Sequence, residues 1–182
     1  MDLALVVVAP TSPDGRELAH AEAVRRALRP KRIVETIDLV AEGVVPWMSR
    51  TERLLYETTD PIVDPLIATH AELIKRADAL VFVFPTVWWS PPPVLKGWME
   101  RTFVPNVAFV LDANKRVRPN LGNLRAVAGV TTHEHPDVIG TGGDGARRLL
   151  LRTMRLNIPR RVRSAWLIDP GPFEIDQRLG RL

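Results

Sequence analysis

Along this chain, short unbroken apolar runs alternate with segments in which apolar residues recur every three or four positions. That alternation is the mark of strands covered on both faces and of amphipathic helices between them. Residues 3–9, 80–84 and 126–130 are apolar throughout and predict three central strands. Residues 33–39 and 161–168 mix apolar with polar and charged positions, which predicts edge strands partly in water. Numbered in chain order, and joined by right-handed crossovers, the five runs predict a parallel sheet of order 2-1-3-4-5. The helical stripes between them are Leu18, Ala21, Val24 or Arg25 and Leu28; Ile62, Val63, Leu66, Ile67, Leu73 and Ile74; Val94, Leu95, Trp98, Met99 and Thr102; and Ala146, Leu149, Leu150 and Thr153. Two segments exceed a minimal five-strand plan, residues 41–61 and 104–123, and connections that long usually bind something. Their apolar and aromatic content predicts that they cover a ligand site or a subunit partner.

The 182 residues, 46% of them apolar, suit a single domain spanning 1–182. No run approaches the roughly 20 apolar residues of a membrane span, and no basic stretch precedes the first apolar run, so a cytoplasmic location without membrane insertion is expected. The absence of cysteine excludes disulfides, thiolate catalysis, iron-sulfur clusters and Cys-ligated zinc. A net charge of +4 raises nucleic acid as a partner, but only Lys31, Lys75, Lys96 and Lys115 are lysines. The arginine excess reads better as compositional bias, and no nucleic-acid partner is predicted. Arg147, Arg148, Arg152, Arg155, Arg160, Arg161 and Arg163 either attract an anionic dinucleotide or form a solvated helix face and a charge-guarded edge strand; the second reading is preferred. His70, Trp98 and Trp166 read as packing residues.

In open α/β sheets, ligands sit beyond the carboxyl ends of the strands where the order reverses. After the first strand, residues 10–16 offer Thr11, Ser12, Gly15 and Arg16 at the start of a helix, a place suited to phosphate. The same residues also read as a plain Pro-Asp-Gly turn with an Asp14 or Ser12 cap. After the third strand, Pro85, Thr86, Val87, Trp88 and Trp89 lead into three further prolines, a stiff aromatic ledge for a flat conjugated ligand. After the fourth come Thr131, Thr132, His133, Glu134 and His135, with hydroxyl donors and two imidazoles, groups suited to proton transfer. The two histidines stand at i, i+2 with no third convergent ligand, so no metal site is predicted.

The elements Phe-Pro-x-x-Trp-Trp, Leu-Lys-Gly-Trp and Arg-x-Phe-x-Pro within residues 80–109 resemble the central segment of the NAD(P)H:quinone oxidoreductase family. That family includes bacterial drug-activity-modulator quinone reductases and ancillary subunits of potassium-efflux systems. The resemblance implies a flavodoxin-like three-layer sandwich, bound FAD or FMN, NAD(P)H as hydride donor, a quinone-like acceptor reduced in a two-electron ping-pong cycle, and a homodimer with interfacial active sites. Pro85, Thr86, Val87, Trp88 and Trp89 match positions lining the flavin ring, and Thr131 and Thr132 match the next ring-contacting loop. His133 and His135 are then candidates to give a proton to the departing quinol. Two departures stand out. His133 and Glu134 occupy places where the family often has two glycines. In the first loop Pro10 stands where the family commonly has His, and Gly15, Arg16 and Glu17 replace a Ser, an aromatic residue and Asn that hold the flavin phosphates. Thr11 and Ser12 can replace those donors and Arg16 can pair with phosphate, whereas an inward Glu17 repels it. The alternative is a weakly active or non-catalytic ancillary subunit of the same fold; a one-electron carrier is disfavoured because such carriers tend to be acidic.

Overall fold

The computed structural model describes residues 2–133, 144–158 and 161–182. Along the chain run β1 (Leu3–Val8), α1 (Arg16–Leu28), β2 (Ile33–Asp38), α2 (Arg50–Leu55), α3 (Pro65–Arg76), β3 (Ala79–Pro85), α4 (Pro93–Thr102), β4 (Phe109–Leu111), β5 (Val117–Pro119), β6 (Ala126–Thr132), α5 (Gly145–Met154), β7 (Arg163–Ile168) and α6 (Pro172–Leu179). Five strands pair in parallel in the order β2-β1-β3-β6-β7, the predicted 2-1-3-4-5 sheet. β1, β3 and β6 are buried at every position, so no polar residue is tolerated on either face before their carboxyl ends. β2 and β7 are exposed over much of their length, which explains their mixed sequences.

Strand side chains alternate between faces, so the sheet divides the core in two. On one side Leu5, Val7, Phe82 and Phe84 pack with Ile67 and Ile74 of α3, Leu95 and Trp98 of α4 and Leu150 of α5. On the other, Val6, Val8, Val81 and Val83 pack with Val24 and Leu28 of α1 and Ile175 and Leu179 of α6. Each fully buried side chain of this size contributes about 1.5–3 kcal/mol of hydrophobic stabilisation.

The structure corrects several expectations. Leu18 is 51% exposed, and Glu17 takes the inward position at the start of α1. Val63 and Leu149 are exposed, as is Thr153, because the buried stripes of α3 and α5 run through Ile67, His70 and Ile74 and through Ala146, Leu150 and Met154. The segment 41–61 contains α2, started by a capping box in which Ser49 Oγ accepts from Glu52 N–H at 3.1 Å and Glu52 Oε2 accepts from Ser49 N–H at 2.6 Å. The segment 104–123 contains the antiparallel hairpin β4–β5. The helix α6 was not predicted.

Two buried polar groups tie the long segment 41–61 to the helices. Arg101 Nε donates to Glu52 Oε1 at 2.7 Å, Nη2 to Asp64 Oδ2 at 2.6 Å and Nη1 to Val45 O at 3.2 Å. Burial alone raises the pKa of Glu52 and Asp64, but hydrogen bonds from Ser49 and Arg101 to the first, and from Arg101 and Leu66 to the second, outweigh it and hold both below the usual carboxylate range. Trp98 Nε1 donates to His70 Nδ1 at 3.1 Å, which leaves His70 Nε2 to donate to Glu42 Oε2 at 2.9 Å. His70 is thus a packing residue, more deeply buried than a boundary position.

Candidate functional site

At the carboxyl end of β3 the chain reverses at once. Val87 N–H donates to Ser90 O at 3.0 Å and Ser90 N–H to Val87 O at 2.9 Å. The central pair has φ 48 at Trp88 and φ 60 at Trp89, the left-handed region that tight hairpin turns normally fill with Asn and Gly. An L-residue without those properties costs about 1–2 kcal/mol there. Trp88 is nevertheless 94% exposed and Trp89 45%, so solvent-exposed indoles occupy a strained turn. The turn is braced from behind: a Cβ on Gly145, at the start of α5, would stand 2.5 Å from Trp89 O, so only glycine permits this approach. Pro85 is buried as the last residue of β3, and Val87 is exposed. Thr86 N–H donates to Thr132 O at 2.8 Å, and Thr86 Oγ1 is buried without a partner among the described residues.

The neighbouring strand β6 extends through Thr131 and Thr132, which are therefore strand residues rather than loop residues. Thr131 Oγ1 lies 3.4 Å from both Asp144 Oδ2 and Leu167 O. Asp144 also accepts from Ala146 N–H and Trp166 Nε1–H, each at 2.9 Å, so one carboxylate caps α5 and joins it to β6 and β7. Asp144 was absent from the predicted site; its signal was an Asp directly ahead of a helical stripe. His133 is buried, not solvated: its N–H donates to Asp169 Oδ1 at 3.1 Å and its Nδ1 stands 3.5 Å from Asp169 Oδ2. His135 and Glu134 lie outside the described residues.

The loop after β1 completes the crevice. Helix α1 begins after Gly15, so neither Asp14 nor Ser12 is its N-cap. Glu17 is fully buried: Oε1 accepts from Ser12 Oγ at 2.6 Å and from Thr132 Oγ1, and Oε2 accepts from Ser12 N–H at 3.3 Å. Arg16 pairs with Asp14 at 2.6 Å and with Asp169 at 3.5 Å. Thr11 is exposed. Ser12, Arg16, Thr132 and His133 thus gather around Glu17 and Asp169, and the Thr86–Thr132 bond links them to the tryptophan turn.

The residues at the ring end fit a flavin, with an exposed aromatic turn and an orphaned Thr86 hydroxyl for a polar ring edge. Those at the phosphate end do not, because the Ser12 and Thr132 donors are already bound to a buried carboxylate. No three His, Asp or Glu residues among those described are grouped to hold a metal ion. Beyond the crevice, Tyr56, Pro91, Met99, Phe103, Phe109 and Leu149 line a mostly apolar cavity of about 340 Å³, so both long segments contribute a wall to it. No helix among the described residues is long and apolar enough to cross a membrane.

Comparison with known proteins agrees with this fold. NAD(P)H dehydrogenase (quinone) 1 of Cavia porcellus is 30% identical over 145 residues, covering 71% of this chain and 52% of its own length. The chain spans about half the length of the curated relatives it matches. Among solved structures, an NAD(P)H:quinone oxidoreductase from Methanothermobacter marburgensis superposes with a TM-score of 0.74 at 22% identity, covering 99% of this chain and 96% of its own. An FMN-dependent NADH-azoreductase from Bacillus anthracis str. Ames Ancestor, in complex with FMN, superposes with a TM-score of 0.64 at 16% identity, covering 99% and 95%. A family model described as flavodoxin-like fold matches residues 1–155, and with the sheet order found here the chain belongs to that flavodoxin-like family.

Proposed function

We propose that this protein is a flavin-dependent NAD(P)H:quinone oxidoreductase, a cytoplasmic homodimer using FAD or FMN in a two-electron ping-pong cycle. The observation that carries the reading is the strained, exposed Trp88–Trp89 turn, set where the sheet order reverses and beside an unpartnered Thr86 hydroxyl. The bound flavin supplies two-electron redox chemistry between NAD(P)H and a quinone-like acceptor. The chain positions it: the tight turn after β3 presents the exposed indoles of Trp88 and Trp89, and Thr86 Oγ1, without a partner among the described residues, is available to a polar ring atom. His133, whose backbone is tied to Asp169 and whose ring nitrogens have no hydrogen-bond partner among the described residues, is the proposed proton donor to the quinol, a role shared with His135 in the sequence reading. The exposed Trp88, Leu149 and Leu156 support a second copy of the chain as the cover of the ring face.

A second reading, a non-catalytic or weakly active ancillary subunit, is favoured by one observation, the carboxylate of Glu17 among the donors that a cofactor phosphate would need. The two readings separate in one assay: purified protein is mixed with FMN, FAD or riboflavin, and oxidation of NADH or NADPH is followed with and without a benzoquinone. Acceptor-dependent turnover that is lost on replacing Trp88 and Trp89 supports the enzyme. Ligand binding without turnover supports the ancillary subunit, and no binding of any flavin rejects the enzyme and leaves the non-catalytic ancillary subunit.

A further inference from the structure

The start of α1 has the parts of an anion cradle: a helix N-terminus, the Ser12 N–H, the Ser12 hydroxyl and the Thr132 hydroxyl. The anion in it is the protein's own, since Glu17 is fully buried and accepts all three donors. Arg16, the residue before Glu17, does not compensate for more negative charge, because it already faces Asp14 and Asp169. A phosphate would therefore replace two hydroxyl bonds, meet Glu17 at contact distance, and find Arg16 already paired with Asp14 and Asp169. An alcohol chain adds no negative charge, and one of its hydroxyls can donate to the single carboxylate lone-pair site that Ser12 and Thr132 leave free.

We propose that Glu17 is a specificity-determining residue that fills the phosphate cradle, so that this site selects its flavin by ring and polyol and gains no affinity from the phosphate. The inference rests on the flavin-binding reading above. It distinguishes this chain's ligand class: an unphosphorylated flavin binds at least as well as FMN or FAD, whose phosphates stay outside the cradle.

The test is titration of riboflavin, FMN and FAD with the whole protein, read by quenching of flavin fluorescence, for the wild type and for Glu17→Gln and Glu17→Ser. In the wild type, FMN binds no tighter than riboflavin. In Glu17→Ser, which removes the charge and opens the space, FMN affinity rises at least about tenfold while riboflavin changes by less than about threefold, as removal of one like-charge contact predicts. Glu17→Gln keeps the volume and shows a smaller gain for FMN. A wild type that binds FMN about tenfold or more tightly than riboflavin overturns the inference without touching the function, and that comparison needs no variant to fold. Wild-type parity with an unchanged FMN-to-riboflavin ratio in both folded variants also overturns it. Binding of no flavin by wild type or variants defeats the functional reading itself, and the inference with it.

Discussion

Replacing Trp88 with Asn isolates the strain in the candidate ring platform. Trp88 has φ 48, so its backbone carries about 1–2 kcal/mol that an Asn relieves in large part. At 94% exposure its indole contributes almost no burial that could be lost. The expected net effect of Trp88→Asn is a stabilisation of about 1 kcal/mol. For a chain of this size that raises Tm by about 2–4 °C, and with a urea slope of about 1–3 kcal/mol/M it moves the unfolding midpoint up by about 0.3–1 M. Equilibrium urea unfolding followed by circular dichroism measures it. Trp88→Ala is the control, since it removes the indole and keeps the strain; its stability stays within about 0.5 kcal/mol of wild type. Both variants lose flavin affinity by about twofold to tenfold if the indole stacks on the ring. A Trp88→Asn protein no more stable than wild type refutes the strain argument, and one that binds flavin equally well refutes the stacking role.

Three other outcomes follow from the packing. Gly145→Ala forces a Cβ to within 2.5 Å of Trp89 O, a backbone atom that cannot swing away, so urea unfolding shows a loss of about 1–3 kcal/mol together with weaker flavin binding; loss of one without the other separates brace from platform. Gly129→Ala sets a Cβ 2.4 Å from the Trp166 ring, and the resulting destabilisation shrinks when Trp166→Leu is added, whereas additive effects in that double-mutant cycle contradict direct contact. Arg101→Met leaves the buried Glu52 unpaired and costs about 3–5 kcal/mol at neutral pH. Because Glu52 and Asp64 are held below their usual range, their contribution is fully present above the unfolded values of about 4.3 and 3.9 and is lost as pH falls through the lower folded values. Stability of wild type therefore falls more steeply than that of Arg101→Met between neutral pH and pH of about 3, and parallel curves contradict the pairing.

The sheet order was legible because β1, β3 and β6 must be apolar on both faces, while Glu35 in β2 and Arg163 in β7 mark strands that meet water. What periodicity missed had local causes. In α6 only Ile175 and Leu179 point inward, and an exposed Phe173 blurs the stripe. In α2 the Ser49–Glu52 capping box was present in the sequence, but the helix is too short to show a period. The ledge was recognised by its composition, yet its turn was not, since Trp-Trp lacks the Asn or Gly that marks such a reversal. Glu17 was the hardest, because a glutamate on a helix reads as solvent-facing. Its burial depends on Thr132, 115 residues away, arriving beside Ser12 when β6 joins the sheet.

Lys115 takes φ 58 between β4 and β5, but other departures from local rules share one end of the sheet. Trp88 and Trp89 break the turn preference after β3 and Glu17 breaks the burial rule at the start of α1, while Asp169 after β7 takes φ 44, a conformation that Asp tolerates. Each lies at the carboxyl end of the parallel sheet, and Asp169 connects them by accepting from His133 N–H and facing Arg16. Elsewhere the buried charges are matched within the fold, as Arg101 is by Glu52 and Asp64. A sequence under selection for stability alone has no reason to gather strain and an inward carboxylate at one edge of the sheet. The exposed Trp88–Trp89 turn and the inward Glu17 are the grounds for proposing that edge as the working surface: the Ser12 and Thr132 donors are shared with no anion while that carboxylate holds them.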